Sequence, residues 1–374
     1  MKVAVITDRI NPFYFGGYEY LLYNISQKLS ERMEISVFTS MDEKVKMIGR
    51  VRYVKICRRY RYTNKKGNHR ILDSIIFLLS IRKNVKKLNG YDVVIMNTIP
   101  YLGYGWVMSK MRARKISIFH EAWYAYLKEM NPIVRFVLRR EIGEIVKESD
   151  SIVSVSSATT KSLISNYGAR NVFTIPIGIS TDEMDGVKAK REYDVVYIGR
   201  LARIKHVETL IIATKILVMS FPEIKVAIGG EGVERRRLEL MTRKLNLGSN
   251  IFFLGALTDE EKYRVLKSSR IFVLPSEREG FSVSTLEAMY CGAAPIIAKP
   301  KYEEVFGSSD FIIDGKTGCL FTLGDAEELT RKITALLRNE ELYNNITKNA
   351  IALARTYAWP SIIDKYDQLI ASLI

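Results

Sequence analysis

Short runs dominated by apolar residues recur along this chain, and between them lie longer stretches whose apolar residues fall three and four positions apart. The first pattern belongs to strands buried on both faces, the second to helices covering a sheet. In the first half the runs are Val3–Ile6, Ile35–Phe38, Val51–Ile56, Val93–Met96, Ile116–Phe119 and Ile152–Val155. The spacing of Leu21, Leu22, Ile25 and Leu29 predicts a helix after the first run, Ile71–Leu79 a core helix, and Thr159–Asn166 another. Val172–Ile179, with Pro176 and Gly178, reads as a strand passing into a linker. The alternation then restarts with strands at Val195–Ile198, Val226–Gly230, Ile251–Leu254, Ile271–Leu274 and Pro295–Ala298. Helices are expected from about Val207 and over Asp325–Arg338, Glu341–Thr356 and Ser361–Leu373, with Trp359-Pro360 parting the last two. Strand, helix, strand in unbroken alternation gives right-handed crossovers in parallel sheets. The expected fold class is therefore α/β, with two doubly wound, Rossmann-like domains facing across a cleft.

The segment Ile271–Ala298 concentrates the chemistry. A buried strand ends at Pro275, a polar loop carries Glu277, Arg278, Glu279 and Gly280, and a helix follows that Ser284 can cap. Parallel sheets bind ligands beyond the carboxyl ends of their strands, where helix N-termini offer unpaired N–H groups to anions. Glu279 and Glu287 flank that joint, one in the loop and one in the first turn of the helix. Ser284-x-x-Glu287 also reads as a capping box, in which Glu287 merely satisfies a backbone donor.

A chain of 374 residues, 47% hydrophobic and 26% charged, is globular and large enough for two domains. Its formal charge of +16 is unevenly spread. Residues 1–180 hold 30 Lys and Arg against 14 Asp and Glu, so the first half carries the whole excess. Lys44 to Arg70 alone has eleven cations and no acid. Such asymmetry points to a polyanionic partner. Arg58, Arg59, Arg61, Lys65 and Lys66, interleaved with tyrosines and followed by an apolar helix, suit an anionic membrane surface; a nucleic acid is the competing reading. Cys57, Cys291 and Cys319 are too far apart for a C-x-x-C pair, which disfavours a zinc cage or a disulfide framework and suits the cytoplasm. The N-terminus is unlike a signal peptide, and no apolar run is long enough to span a membrane.

Several chemistries are excluded by missing motifs. Neither Gly16-Gly17 nor Gly229-Gly-Glu-Gly232 completes a dinucleotide fingerprint, and Gly315-Lys-Thr317 lacks the upstream glycine of a P-loop, Asp310 standing there. There is no G-x-S-x-G, H-E-x-x-H or Asp-x-Asp. His120 ends a strand, in a position suited to a site; with only His69 and His206 besides, no histidine metal cluster is available.

Taken together, Gly16-Gly17-x-Glu19, Gly199-Arg200-Leu201-x-x-x-Lys205, Pro275-Ser-x-x-Glu279-Gly-Phe-Ser-x-x-x-Leu-Glu287 and Asp314-Gly-x-x-Gly318 resemble the retaining GT-B glycosyltransferases of family 4, the phosphatidylinositol-mannosyltransferase-like group among them. The resemblance spans nearly the whole chain. It implies an acceptor-binding domain over 1–177, joined by a C-terminal helix at about 357–374 that crosses back, and a nucleotide-sugar domain over 185–356. It implies a UDP- or GDP-sugar donor, a glycan or lipid-linked acceptor, a hexosyl transfer and no metal or other cofactor. Arg200 and Lys205 would neutralise the donor diphosphate, Glu279 would hold the transferred sugar and Glu287 the ribose. Backbone N–H groups of Gly280, Phe281 and Ser282 would approach the sugar, Gly16 and Gly17 the diphosphate, and His120 the transferring carbon. The protein would then work on the inner face of the cell membrane, as a peripheral enzyme. A soluble sugar or sugar-phosphate acceptor, or a phosphorylase or epimerase on the same scaffold, are the alternatives. Two positions depart from the family's usual glycine: His206, after the lysine, and Ser282.

Overall fold

The computed structural model describes residues 1–10, 17–58, 71–98, 103–121, 127, 130–300 and 306–374. It divides into two units: Met1–Ile177 with Pro360–Ile374, and Gly178–Trp359.

The first unit alternates strand and helix as β1 (Lys2–Ile6), α1 (Gly17–Leu29), β2 (Glu34–Ser40), β3 (Val45–Ile48), β4 (Val51–Cys57), α2 (Ile71–Leu88) and β5 (Val93–Asn97). It continues with α3 (Tyr104–Met108), β6 (Arg114–Phe119), α4 (Pro132–Glu148), β7 (Ser151–Ser154), α5 (Ser157–Tyr167) and β8 (Val172–Thr174). The eight strands form one sheet in the order β3-β4-β2-β1-β5-β6-β7-β8. Every pairing is parallel except β3 with β4. That hairpin lies inside the basic run and was not foreseen. Its signal is Gly49, which takes φ +59° between Ile48 and its partner Val51; a two-residue connection of this kind needs positive φ. Lys46 then decorates the edge strand β3, where charge discourages further pairing.

The second unit runs α6 (Thr181–Gly186), β9 (Tyr193–Ile198), α7 (Val207–Leu217), β10 (Val226–Gly229), α8 (Arg235–Lys244), β11 (Ile251–Gly255) and α9 (Asp259–Lys267). After these come β12 (Ser269–Leu274), α10 (Val283–Tyr290), β13 (Ala294–Lys299), β14 (Cys319–Thr322), α11 (Ala326–Arg338) and α12 (Glu340–Arg355). Its six strands, all parallel, lie in the order β11-β10-β9-β12-β13-β14. The edge strand β14 was not foreseen either. The last helix, α13 (Trp359–Ala371), starts at Trp359. Trp359-Pro360 therefore opens this helix, as suits a proline in a first turn, and the break falls at 356–358 instead. From Pro360 onward it belongs to the first unit, where Arg32 reaches Asp364 (2.8 Å) and Asp367 (2.9 Å) and Ile362, Tyr366 and Ile370 are buried.

Strand order fixes where ligands can bind. In each sheet the chain winds outward in one direction and then in the other, so a crevice opens where the direction reverses. That reversal lies between β1 and β5 in the first sheet and between β9 and β12 in the second. No described helix is long and apolar enough to cross a membrane.

Candidate active site

The loops leaving β9 and β12 meet at the second reversal. After β9 the chain runs through Gly199 and Arg200 into a single 3-10 turn, Arg203–Lys205. Buried Tyr197 donates its hydroxyl to the Arg200 carbonyl at 3.1 Å, which fixes the start of that loop. From the other side, Glu277 N–H donates to the Ile204 carbonyl at 2.9 Å, locking the loop after β12 to the turn. The lock brings the Lys205 ammonium onto the Glu279 carboxylate, both largely buried. Arg200 is exposed, and its guanidinium forms no ion pair among the described residues. A paired cation and an unpaired one thus stand beside a carboxylate at the carboxyl edge of the sheet.

Glycines the sequence had left without a role explain how the Arg200 loop is held. The loop after β10 lies directly against it: Leu201 N–H donates to Glu231 O at 2.8 Å and Glu234 N–H to Leu201 O at 3.1 Å. A Cβ on Gly230 would fall 1.9 Å from Gly199 O, and one on Gly232 2.1 Å from Leu201 O. Gly229-Gly-Glu-Gly232 is therefore a brace of backbone on backbone, a use of glycine unrelated to dinucleotides. A second close approach holds the other loop. Gly307 N–H donates to Glu279 O at 2.9 Å, and a Cβ on Gly307 would sit 1.8 Å from Gly280 O.

The two departures from glycine behave differently. His206 adopts φ +45°, the left-handed region, which explains why a glycine is common there. Its ring lies between Glu277 (3.3 Å) and Glu208 (3.5 Å), contacts that offset the backbone cost. Ser282 has ordinary extended geometry and is the N-cap of α10. Its Oγ accepts from Thr285 N–H at 3.4 Å and lies 2.7 Å from Thr285 Oγ1.

That cap corrects the sequence reading, in which Ser284 could cap the helix and Glu287 stood in its first turn, and it rules out the competing capping box. Because α10 begins one residue after Ser282, Glu287 falls beyond its first turn, out of reach of the cap. Glu287 is instead 2% exposed and accepts from Lys262 of α9 at 2.7 Å; Lys262 also contacts Asp259 at 2.9 Å. Burial alone would lower the Lys262 pKa, but Glu287 and Asp259 outweigh it and keep the ammonium charged. Lys262 gave no signal in the sequence, because its partner lies twenty-five residues away on another helix.

In the first unit a polar cluster occupies the other reversal. Asp8 and Arg9 follow β1, Asn97 ends β5, and His120 follows β6. His120 Nε2 lies 2.7 Å from Asn97 Oδ1, and Asn97 Nδ2 donates to Thr7 Oγ1 at 3.3 Å. Since the Asn97 amide oxygen is what faces the ring, Nε2 is the donor. Nδ1 is then a bare acceptor, buried and without a partner among the described residues. Burial pushes the His120 pKa down to about 3, so the imidazole is neutral. Arg9 reaches buried Glu19 of α1 at 3.2 Å and Asp8 at 3.6 Å, and donates to the Tyr18 hydroxyl at 2.6 Å. Burial raises the Glu19 pKa and Arg9 opposes it. The Gly-x-Glu spacing had marked Glu19, but Asp8, Arg9 and Asn97 carried no motif and emerge from the strand order alone. Gly17 opens α1, and a Cβ there would meet no described atom within 4 Å. Gly16, Arg59, Arg61, Lys65 and Lys66 lie outside the described residues; Arg58 is exposed at the end of β4. Among the described residues no group of His, Cys, Asp and Glu is placed to hold a metal ion.

The sequence matches two family models in succession: "Glycosyltransferase Family 4" over residues 15–183 and "Glycosyl transferases group 1" over 179–353. An uncharacterised glycosyltransferase of Methanocaldococcus jannaschii is 28% identical over 314 residues, 78% of this chain and 77% of its own length. The poly(ribitol-phosphate) alpha-N-acetylglucosaminyltransferase of Staphylococcus aureus is 26% identical over 62% of this chain, which spans 46% of that protein. Among solved structures, sucrose-phosphate synthase from Thermosynechococcus elongatus superimposes with a TM-score of 0.82 at 20% identity, covering 100% of this chain and 98% of its own. HepE from Anabaena, solved with UDP and glucose, gives 0.76 at 17% identity over 100% of both chains. Structural likeness at such identities speaks for the fold, and the family models for the family. The chain belongs to the glycosyltransferases of GT-B type, with a glycosyltransferase family 4 domain followed by a group 1 domain.

Proposed function

We propose that this glycosyltransferase moves a hexose-type sugar from a UDP- or GDP-sugar to a membrane-borne or lipid-linked glycan acceptor, with retention of configuration and without a metal. The observation that carries the reading is the join of Arg200, Lys205 and Glu279 at the β9–β12 reversal. Glycosyl transfer builds negative charge on the leaving diphosphate and positive charge on the sugar ring. Arg200 and Lys205 supply fixed positive charge for the first, and Glu279 accepts hydrogen bonds from sugar hydroxyls. In the proposed step the acceptor hydroxyl oxygen attacks the anomeric carbon from the face the diphosphate leaves. The carbon–oxygen bond to the β-phosphate breaks with its electron pair passing to the phosphate oxygen, and that oxygen takes the hydroxyl proton. Backbone N–H groups of Gly280, Phe281 and Ser282 orient the sugar. Glu287 lies next to this loop but is covered by Lys262, so its proposed contact with the ribose requires Lys262 to give way.

The first domain is proposed to bind the acceptor, with the bare Nδ1 of His120 accepting a hydrogen bond from a hydroxyl. HepE was solved with UDP and glucose, and the relative from S. aureus acts on a poly(ribitol phosphate), a polyanionic acceptor; the excess positive charge of residues 1–180 suits an acceptor or surface of that sign. The enzyme would then work peripherally, on the cytoplasmic face of the membrane.

The test is a panel of UDP- and GDP-sugars in thermal-shift and donor-hydrolysis assays, in chelator and with added magnesium. One donor is expected to raise the melting temperature, and turnover is expected to be the same in both conditions. Lys205→Met and Glu279→Gln are each expected to lower kcat by about 10²–10³-fold, as for lost transition-state charge stabilisation. Near-parental turnover in either variant, with the fold intact by circular dichroism, would remove the assigned roles.

A further inference from the structure

The first domain presents two helices whose outward faces are built alike, and neither is explained by the sheet they cover. In α4 the packed side is Glu141, Ile142 and Ile145. The opposite side of its first two turns carries Ile133, Phe136 and Val137, spaced three and four apart, with Ile133 75% and Phe136 68% exposed. Arg135, Arg139 and Arg140 lie among and just behind them, and Pro132 to Arg140 contains no carboxylate. In α2 the packed side is Phe77, Ile81 and Leu88. Its outer side begins with Ile75, Ile76 and Leu79 and continues into Arg82, Lys83, Lys86 and Lys87, all exposed. The helix expected first as a core element thus has a second apolar face.

The two helices are joined through a third. Helix α3 packs between α2 and α4, so tightly that a Cβ on Gly105 would lie 2.5 Å from Cβ of Glu144. Trp106 of α3 is exposed, with the Arg82 guanidinium 4.5 Å above its ring. Because these helices run back from the carboxyl edge of a parallel sheet, their apolar N-terminal portions lie toward the edge that holds Asn97 and His120. Their cations lie further from that edge.

We infer that this face, led by Ile133, Phe136 and Val137 of α4 and Ile75 and Leu79 of α2, is the surface by which the enzyme seats itself on an anionic lipid bilayer. The layering fits that occupant. Apolar tips reach the acyl boundary, Trp106 lies at headgroup depth, and the arginines and lysines contact the phosphates. Scattered exposed apolar residues need no explanation, but apolar N-terminal portions on two helices packed against one shared helix, which itself exposes Trp106, do. A second copy of the chain in a symmetric dimer would set these cations against their own counterparts. A nucleic acid would leave the aliphatic tips in water. The surface deepens the proposed function by bringing the His120 edge to the membrane, and only its lipid-borne acceptor rests on that reading.

The experiment is co-sedimentation of the full chain with vesicles of phosphatidylcholine alone and of equal parts phosphatidylcholine and phosphatidylglycerol, across a salt series. Binding to the anionic vesicles is expected, falling with salt. Combining Ile133→Ser with Phe136→Ser is expected to weaken it by about tenfold or more, from the lost apolar insertion. Lys83→Gln, Lys86→Gln and Lys87→Gln are each expected to cost roughly fivefold and to flatten the salt dependence. All five positions are exposed, so the variants should melt as the parent does, and the donor-induced thermal shift reports separately on the second domain. Failure of the parent to bind anionic vesicles, or unchanged binding by the Ile133/Phe136 variant, overturns the inference. So does a parent dimer that the same variant converts to monomer. Vesicle binding that follows the expected pattern in a protein no nucleotide sugar stabilises would keep the surface and discard the transfer reading.

Discussion

His120, half-buried with its ring nitrogen Nδ1 out of reach of water, shows how one side chain ties stability to pH. Its ring is held neutral in the folded chain, with a pKa near 3, while the unfolded chain takes up the proton at the ordinary value of 6.5. Between those limits the unfolded state binds more protons, so the contribution of His120 to stability is complete above about pH 6.5 and is lost as pH falls toward 3. Urea unfolding of the parent and of His120→Gln across that window is expected to show a difference that shrinks on acidification. A constant difference would mean that His120 is protonated in the fold. The same neutrality fits a hydrogen-bonding role better than a proton-transfer one, since an imidazole this hard to charge is a poor general base at neutral pH. Lys262 and Glu287 make a different case: burial raises the Glu287 pKa, the Lys262 ammonium opposes that rise, and Glu287 in turn helps to keep Lys262 charged.

The loops that carry the candidate chemistry depend on glycines that cannot be replaced. Gly230 takes φ +131°, and an added Cβ would meet a backbone oxygen, which no rotamer change relieves. Gly230→Ala is expected to cost on the order of 3 kcal/mol and to displace the Arg200 loop. Gly143, inside α4 with no described atom within 4 Å of its added Cβ, is the control. Gly143→Ala is expected to be neutral or to stabilise by about 0.5–1 kcal/mol. Urea denaturation of both, with donor-induced thermal shifts, checks the pair; equal effects would show that the loop contact does not constrain the fold. Strands were legible at this scale wherever apolar residues dominated a run, even one broken by Ser36, Ser117 or Ser154. β3 and β14 were missed because each is an edge strand of only 4 residues, VKMI and CLFT, too short for its apolar residues to stand out from the flanking loops. The start of α10 was misplaced by two residues because Ser282 and Ser284 are chemically equivalent as caps, and only backbone geometry chooses between them.

Across the whole molecule, the C-terminal helix makes the first unit discontinuous in sequence. Ile362, Ile363, Tyr366, Leu369 and Ile370 are buried, and Arg32 holds two aspartates of the helix. Removing residues 360–374 is expected to strip several side chains worth about 2 kcal/mol each from that unit, enough to unfold it. Limited proteolysis and thermal unfolding of the truncated chain would reveal this as a surviving fragment near 178–359; a truncated chain that melts as the parent does would show the helix to be dispensable.

The fold class, the two-sheet plan and the Arg200, Lys205 and Glu279 motifs were all written in the sequence. They depend on local periodicity and on spacing within a single loop, which the order of residues specifies directly. The Lys262–Glu287 pair, the backbone brace under Arg200, the bare nitrogen of His120 and the second apolar faces of α2 and α4 were not. Each depends on which surfaces the winding of the chain brings together or leaves uncovered, and strand order, being a property of the assembled sheet, decides that.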